Sequence, residues 1–195
     1  MAMRIIQKAL LIFGAAALLV FGGSVLYGKI AQALDSWRFD RAPVTESEPA
    51  IGEGEILGRL EIPDLSFSVM VLEGVGDEVL SAGAGHVPGT SIPGKQLGNI
   101  AIAGHRDTFF RGLRKISAGQ RIRFTTTAGV FDYAVSSTEV VQPSDTNVLQ
   151  PHGGAELTLI TCFPFSYIGP APKRFVVHAK AIPGTPYERE EQVRW

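Results

Sequence analysis

The sequence predicts a mostly β domain held behind one apolar N-terminal helix. Three observations carry that prediction. Residues Ala9 to Gly28 form an uncharged run of twenty. Beyond Gly54, short β-rich segments recur at a spacing of roughly ten residues. The alternation of strands with long helices that marks a parallel α/β sheet is missing.

The apolar run comes first. A helix of that length reaches about 30 Å, the hydrocarbon thickness of a bilayer. Arg4 and Lys8 precede it, and Tyr27, Trp37 and Phe39 suit the far interface. The triplet Ala31-Gln32-Ala33 resembles a signal-peptidase site, but the run exceeds the roughly 7–15 residues of a cleaved signal, so an uncleaved anchor is expected. Basic residues flank both ends and do not fix the orientation. The very short leading segment argues for a cytoplasmic N-terminus and an exported C-terminal domain, giving a single-pass protein of the cell membrane. The expected division is a stub and anchor over 1–33, a linker over 34–54, a β domain over 55–183 and a polar tail over 184–195. Pro43, Pro49 and the glutamates Glu46, Glu48 and Glu53 give the linker its character.

Within the β domain, strands are expected at Ile56–Ile62 and Phe67–Leu72, parted by Pro63-Asp64. A helical turn follows at Asp77–Ala82, then a Gly- and Pro-rich stretch over Gly83–Gly98. Asn99–Ala103 reads as a buried strand ending at Gly104-His105, and Phe109–Ile116 as a short helix. Gln120–Thr127 and Val130–Val141 flank Ala128-Gly129 as a hairpin. Glu156–Cys162 and Arg174–Ile182 complete seven or eight strands of an antiparallel sandwich or barrel.

Composition narrows the function. The 195 residues are 45% hydrophobic and 19% charged, a globular balance. Eighteen Lys and Arg face 19 Asp and Glu, and three of the basic residues precede Leu34. The domain is therefore acidic, which argues against nucleic acid as a partner. Cys162 is the sole cysteine, so disulfides within the chain and paired-thiol zinc sites are excluded.

That cysteine closes the strand LTLITC just before Phe163-Pro164-Phe165, at a strand end beside a loop. A lone thiol outside the reducing cytosol tends to oxidise unless it has a use. A free thiol, with a pKa of about 8.5, is mostly unionised at neutral pH and needs a base or cation beside it. His105, at the end of NIAIAG, is the first candidate base, and His178, on a strand face with Arg174, the second. His152 lies in a turn, and His86 in the Gly-rich stretch is a loop ligand or exposed. Arg174, opening the strand after the loop from Cys162, is the leading cation.

AIAGHRDTFF around His105, LTLITCFPF around Cys162 and APKRFVV around Arg174 resemble the three signatures of the sortases, in the same order and at similar distances. The likeness covers about Ile56 to Ala181. GHVPGT, GHRDTFF and CFPFSYIGPAPKRF most resemble the class D sortases. The resemblance implies an eight-stranded β-barrel whose groove takes a Leu-Pro-x-Thr-Gly or Leu-Pro-x-Thr-Ala sorting motif. It implies Cys162 as the nucleophile that forms a thioester after the Thr, His105 as general acid and base, and Arg174 as support for substrate and oxyanion. Thr161 is a further candidate for oxyanion or substrate contact through hydroxyl or backbone. The implied partners are exported proteins bearing the motif and an amine acceptor, either cell-wall precursor peptide or pilin lysine. Glu53, Glu55, Glu61 and Glu73 read as a solvated face rather than a calcium cluster, so no metal and no cofactor are expected. Two rival readings are a thiol hydrolase built on the same pair and a non-catalytic, tethered peptide-binding barrel.

Overall fold

The computed structural model describes residues 2–40, 51–93, 97–167 and 169–184. Helix α1 spans Ala2–Phe39 and is long and apolar enough to cross a bilayer. Most of its large side chains are bare, Leu19 at 77% and Phe13 at 75% exposed, as a surface made for lipid would be. The helix runs past Leu34, where the linker was expected to begin, because its last turns have partners on the β domain. The rest of the expected linker over 41–50, and the tail beyond residue 184, lie outside the described residues.

Eight strands follow: β1 Ile56–Ile62, β2 Phe67–Glu73, β3 Ala84–His86, β4 Gly98–Gly104, β5 Arg121–Thr126, β6 Gly129–Val141, β7 Ala155–Phe163 and β8 Lys173–Ala181. They close into a barrel in the order β1-β2-β3-β4-β7-β8-β6-β5. Helix α2, Asp77–Ala82, links β2 to β3, and a 3₁₀ turn, Phe109–Lys115, follows β4. Strand β3 was missed in the sequence because Ala84-Gly85-His86 carries no alternation of apolar and polar side chains. The all-antiparallel expectation also needs correction. β2 pairs β3 in parallel, and β4 pairs β7 in parallel, each across a connection long enough to return the chain to the same end.

Alternation along the strands fills the interior. Leu60, Ile62, Val69, Val71, Ile100, Ile102, Phe124, Leu157, Leu159 and Val177 meet there, all almost fully buried. Phe110 and Leu113, on the 3₁₀ turn, stop one end of the barrel and are fully buried. Gly104 makes room for this plug, since a Cβ there would lie 2.8–3.0 Å from three atoms of the Phe110 ring. Gly104→Ala is therefore expected to destabilise the fold by roughly 1–3 kcal/mol, read as a lower urea midpoint at unchanged slope. A midpoint equal to wild type would show that Phe110 can move aside freely.

The last turns of α1 lie along the outside of β1 and β2. Gln32 Nε2 donates to the Ala82 carbonyl, and its Oε1 accepts the Met70 N–H, both at 2.6 Å. Arg59 donates to Ser36 Oγ at 2.7 Å and pairs Asp40 at 2.6 Å, with its guanidinium over the Phe39 ring.

Candidate active site

The site is built by register. β4 runs parallel to β7 with Gly104 opposite Thr161, so the next residues, His105 and Cys162, are neighbours where the two strands end. β7 runs antiparallel to β8 with Cys162 directly opposite Arg174. Adjacent strands lie about 4.8 Å apart, so three consecutive strands bring the three residues to one short row.

Alternation sets their face. Ile100 and Ile102 of β4, Leu157 and Leu159 of β7, and Val177 and Ala179 of β8 point into the core. His105, Cys162 and Arg174 have the opposite parity and lie on the outer face. His105 is exposed, and Cys162 and Arg174 are half-buried. No hydrogen bond joins the Cys162 thiol to the His105 ring among the described residues. Such bonds commonly tighten only when substrate arrives. The His105 carbonyl accepts the Phe110 N–H at 2.9 Å, which fixes the loop to the plug beneath it. Arg174 uses Nη1 on the carbonyls of Lys173, at 3.0 Å, and Ala171, at 3.3 Å. Its Nε and Nη2 make no hydrogen bond among the described residues, which leaves one edge of the fork for an incoming oxygen.

Thr161 differs from these three. It is 2% exposed, and its hydroxyl donates to the Gly104 carbonyl at 2.7 Å. The side chain thus ties β7 to β4 immediately under the row, and its proton is spent there. A direct contact with substrate is left to its backbone.

The other histidines are held elsewhere. His178 pairs with Thr158 across β7 and β8, four residues and so roughly 13 Å below the Cys162 level. Its Nε2 lies 2.8 Å from Glu139 and its Nδ1 3.5 Å from the Thr158 hydroxyl. That hydroxyl donates to Asn99 Oδ1 at 2.8 Å, and Asn99 Nδ2 donates to the Val148 carbonyl at 3.0 Å. This row ties down the β6–β7 loop. His152 sits beside Glu156 and is 61% exposed.

His86 corrects the reading of the Gly-rich stretch. It is 2% exposed, with Nδ1 2.7 Å from Glu73 and Nε2 2.9 Å from the Ser91 carbonyl. Glu73, itself half-buried, accordingly pairs with a buried histidine rather than standing on a solvated face. A cavity of about 480 Å³ opens lower on the outer face between Glu139, Glu156, His178 and Lys180, and neither Cys162 nor His105 lines it.

One participant escaped the sequence. Arg106, beside His105, is only 7% exposed, and its Nη2 donates to the carbonyls of Tyr167, at 2.6 Å, and Gly169, at 3.1 Å. It thereby clamps the β7–β8 loop, which joins Cys162 to Arg174, onto the loop that carries His105. Phe165 holds the same loop from the other side, stacked edge-on against Phe163 and Phe175. In sequence Arg106 stands next to Asp107 and reads as an ordinary surface charge.

Comparison with known proteins gives a consistent result. Residues 60–182 match the family model described as the sortase domain. Sortase D of Bacillus subtilis is 36% identical over 130 residues, 66% of this chain and 65% of that protein. Sortase A of Bacillus anthracis is 29% identical over 134 residues, 66% of this chain and 63% of that protein. The chain thus spans just under two thirds of the length of these relatives. A Clostridium perfringens sortase D5 transpeptidase superposes with a TM-score of 0.68 at 27% identity, covering 80% of this chain and 98% of that one.

Proposed function

The chain belongs to the sortase family, and on that footing we propose that it is a membrane-anchored cysteine transpeptidase. The observation that carries this reading is the registered row of His105, Cys162 and Arg174 at the ends of β4, β7 and β8. A nucleophile, a proton carrier and a forked cation on one face are what acyl transfer through a thioester requires.

The substrate is a protein displaying a Leu-Pro-x-Thr-Gly or Leu-Pro-x-Thr-Ala motif. The Cys162 thiol passes its proton to His105, its sulfur attacks the Thr carbonyl carbon, and the carbonyl electron pair moves onto oxygen. Arg174 meets that oxyanion with the donors it does not spend on its own backbone. As the carbonyl re-forms, the C–N bond breaks and His105 gives a proton to the departing amine. The second half runs in reverse order. An amine, from cell-wall precursor peptide or pilin lysine, loses a proton to His105 and attacks the thioester. The C–S bond then breaks and the thiol returns. α1 holds the reaction at the membrane, on the extracytoplasmic side. Water in place of the amine gives slow hydrolysis.

The test is intact mass after mixing the protein with each motif peptide. An acyl adduct that an added amine discharges to a ligated product supports the proposal. Release to water alone, unchanged by amine, would make the protein a thiol hydrolase. Neither adduct nor cleavage with a reactive thiol would favour a peptide-binding barrel.

Arg174→Lys bears on the oxyanion role directly. Lysine keeps the charge but loses the fork, and acylation is expected to slow roughly a hundredfold, as for loss of an oxyanion-hole donor. Single-turnover acylation within twofold of wild type would remove Arg174 from that role.

A further inference from the structure

The anchor helix meets the barrel at the end that carries the site. β4 and β7 finish there and β8 begins there. β3 is antiparallel to β4, and β2 is parallel to β3, so both start at that same end. The last residues of α2, leading into β3, lie there too. Gly28 of α1 packs against this level, where a Cβ would lie 3.3 Å from the Ser81 carbonyl oxygen and 3.5 Å from the Phe109 ring. Four residues further along α1, Gln32 reaches Met70, midway down β2. The helix therefore descends along the barrel wall from Gly28, and its uncharged run, Ala9 to Gly28, projects beyond the site end. If α1 spans the membrane, the bilayer surface falls where the barrel contact starts.

Charge is distributed to match. At the site end, Arg111, Arg114 and Lys115 on the 3₁₀ turn, and Lys173 opening β8, are exposed. Arg121 is there as well, turned toward Asp132. Among the described residues the acids at this end are Asp64 and Asp107, together with Glu61, opposite Arg123, and Glu139, against His178. The opposite end presents Glu53, Glu55, Asp77 and Glu78, against Lys180. A net acidic domain thus turns a basic end toward the membrane.

We infer that the site-bearing end of the barrel is its membrane-facing end and that Arg111, Arg114, Lys115 and Lys173 bind an anionic phospholipid surface. The inference rests on the membrane-anchored reading above. Each Lys or Arg held against such a surface favours contact by roughly fivefold, so four together outweigh Asp64 and Asp107, while Glu61 and Glu139 face Arg123 and His178. The cleft then opens into the thin layer between barrel and headgroups, and both substrates reach Cys162 from membrane level.

The experiment uses the full chain carrying Cys162→Ala, labelled with one fluorophore through Ser117→Cys, beside the 3₁₀ turn, or through Ala128→Cys, at the β5–β6 hairpin on the far end. Each is placed in nanodiscs of phosphatidylcholine, with or without phosphatidylglycerol, containing a headgroup quencher. Quenching is expected to be several-fold stronger at position 117 than at 128, and strongest with phosphatidylglycerol. Equal quenching, or more at 128, overturns the orientation. Quenching at 117 that is indifferent to phosphatidylglycerol and to Arg111→Glu/Arg114→Glu/Lys115→Glu overturns headgroup binding. That triple variant with Cys162 restored should still form acyl-enzyme in detergent. If it does not, Arg114→Glu alone replaces it. A labelled chain that does not travel with the discs overturns the anchor itself and the inference with it. An unlabelled chain with Cys162 intact that seats in the discs but forms no acyl-enzyme instead fails the catalytic reading alone.

Discussion

Cys162→Ala forms no acyl-enzyme with any sorting-motif peptide and turns over neither by transfer nor by hydrolysis. The expected loss is complete rather than graded, because no other cysteine exists to take over. The alanine fits the half-buried position, so the barrel should remain folded and still bind the peptide. Two measurements on one sample make the point: intact mass for the adduct and peptide titration for binding. An adduct on the variant, or transfer at the wild-type rate, would remove the thioester from the mechanism.

His105→Ala is the second large effect. Without a proton for the leaving amine the tetrahedral adduct collapses back to substrate, and loss of a general acid–base group costs typically 10²–10⁴-fold. The matched control is His178→Ala. His178 stands on the neighbouring strand but is occupied by Glu139 and Thr158 well below the row. It should leave the chemical step near the wild-type rate. Rapid-quench acylation of the two variants separates them, and the opposite ranking would reassign the proton carrier.

Sequence and structure agree most closely where side-chain alternation speaks. β1 and α2 have the expected bounds, and the other long strands differ by one residue at one or both ends. The row of site residues was legible for a related reason. A strand that ends at a histidine, one that ends at a cysteine and one that begins with an arginine put functional groups at termini, where a barrel opens to solvent. What remained hidden depends on distance in the fold. Nothing local to Ala84-Gly85-His86 announces a strand, since its hydrogen bonds come from β2 and β4. The continuation of α1 to Phe39 likewise relies on Arg59, far along the chain. The burial of His86, the Arg106 clamp and the inward turn of Thr161 each require partners between 13 and 63 positions away. No periodicity could have supplied them.

Closure of the barrel bears on how an extended peptide is recognised at all. Many proteins capture such peptides by adding them as a further strand to an exposed sheet edge, where main-chain bonds supply affinity whatever the sequence. Here each of the eight strands has a neighbour on both sides among the described residues, so that generic mode finds only the short stretches of β2 and β4 that three-residue β3 does not cover. On the proposed function, a sorting motif would be read by side chains and loops on the barrel wall, which would reward a particular proline and threonine over any chain that happens to be extended. The same closure guards against a hazard of crowding. Copies of this protein crowded on one membrane, as the proposed anchoring would have them, would expose little unpaired strand edge among the described residues on which other chains could nucleate sheet.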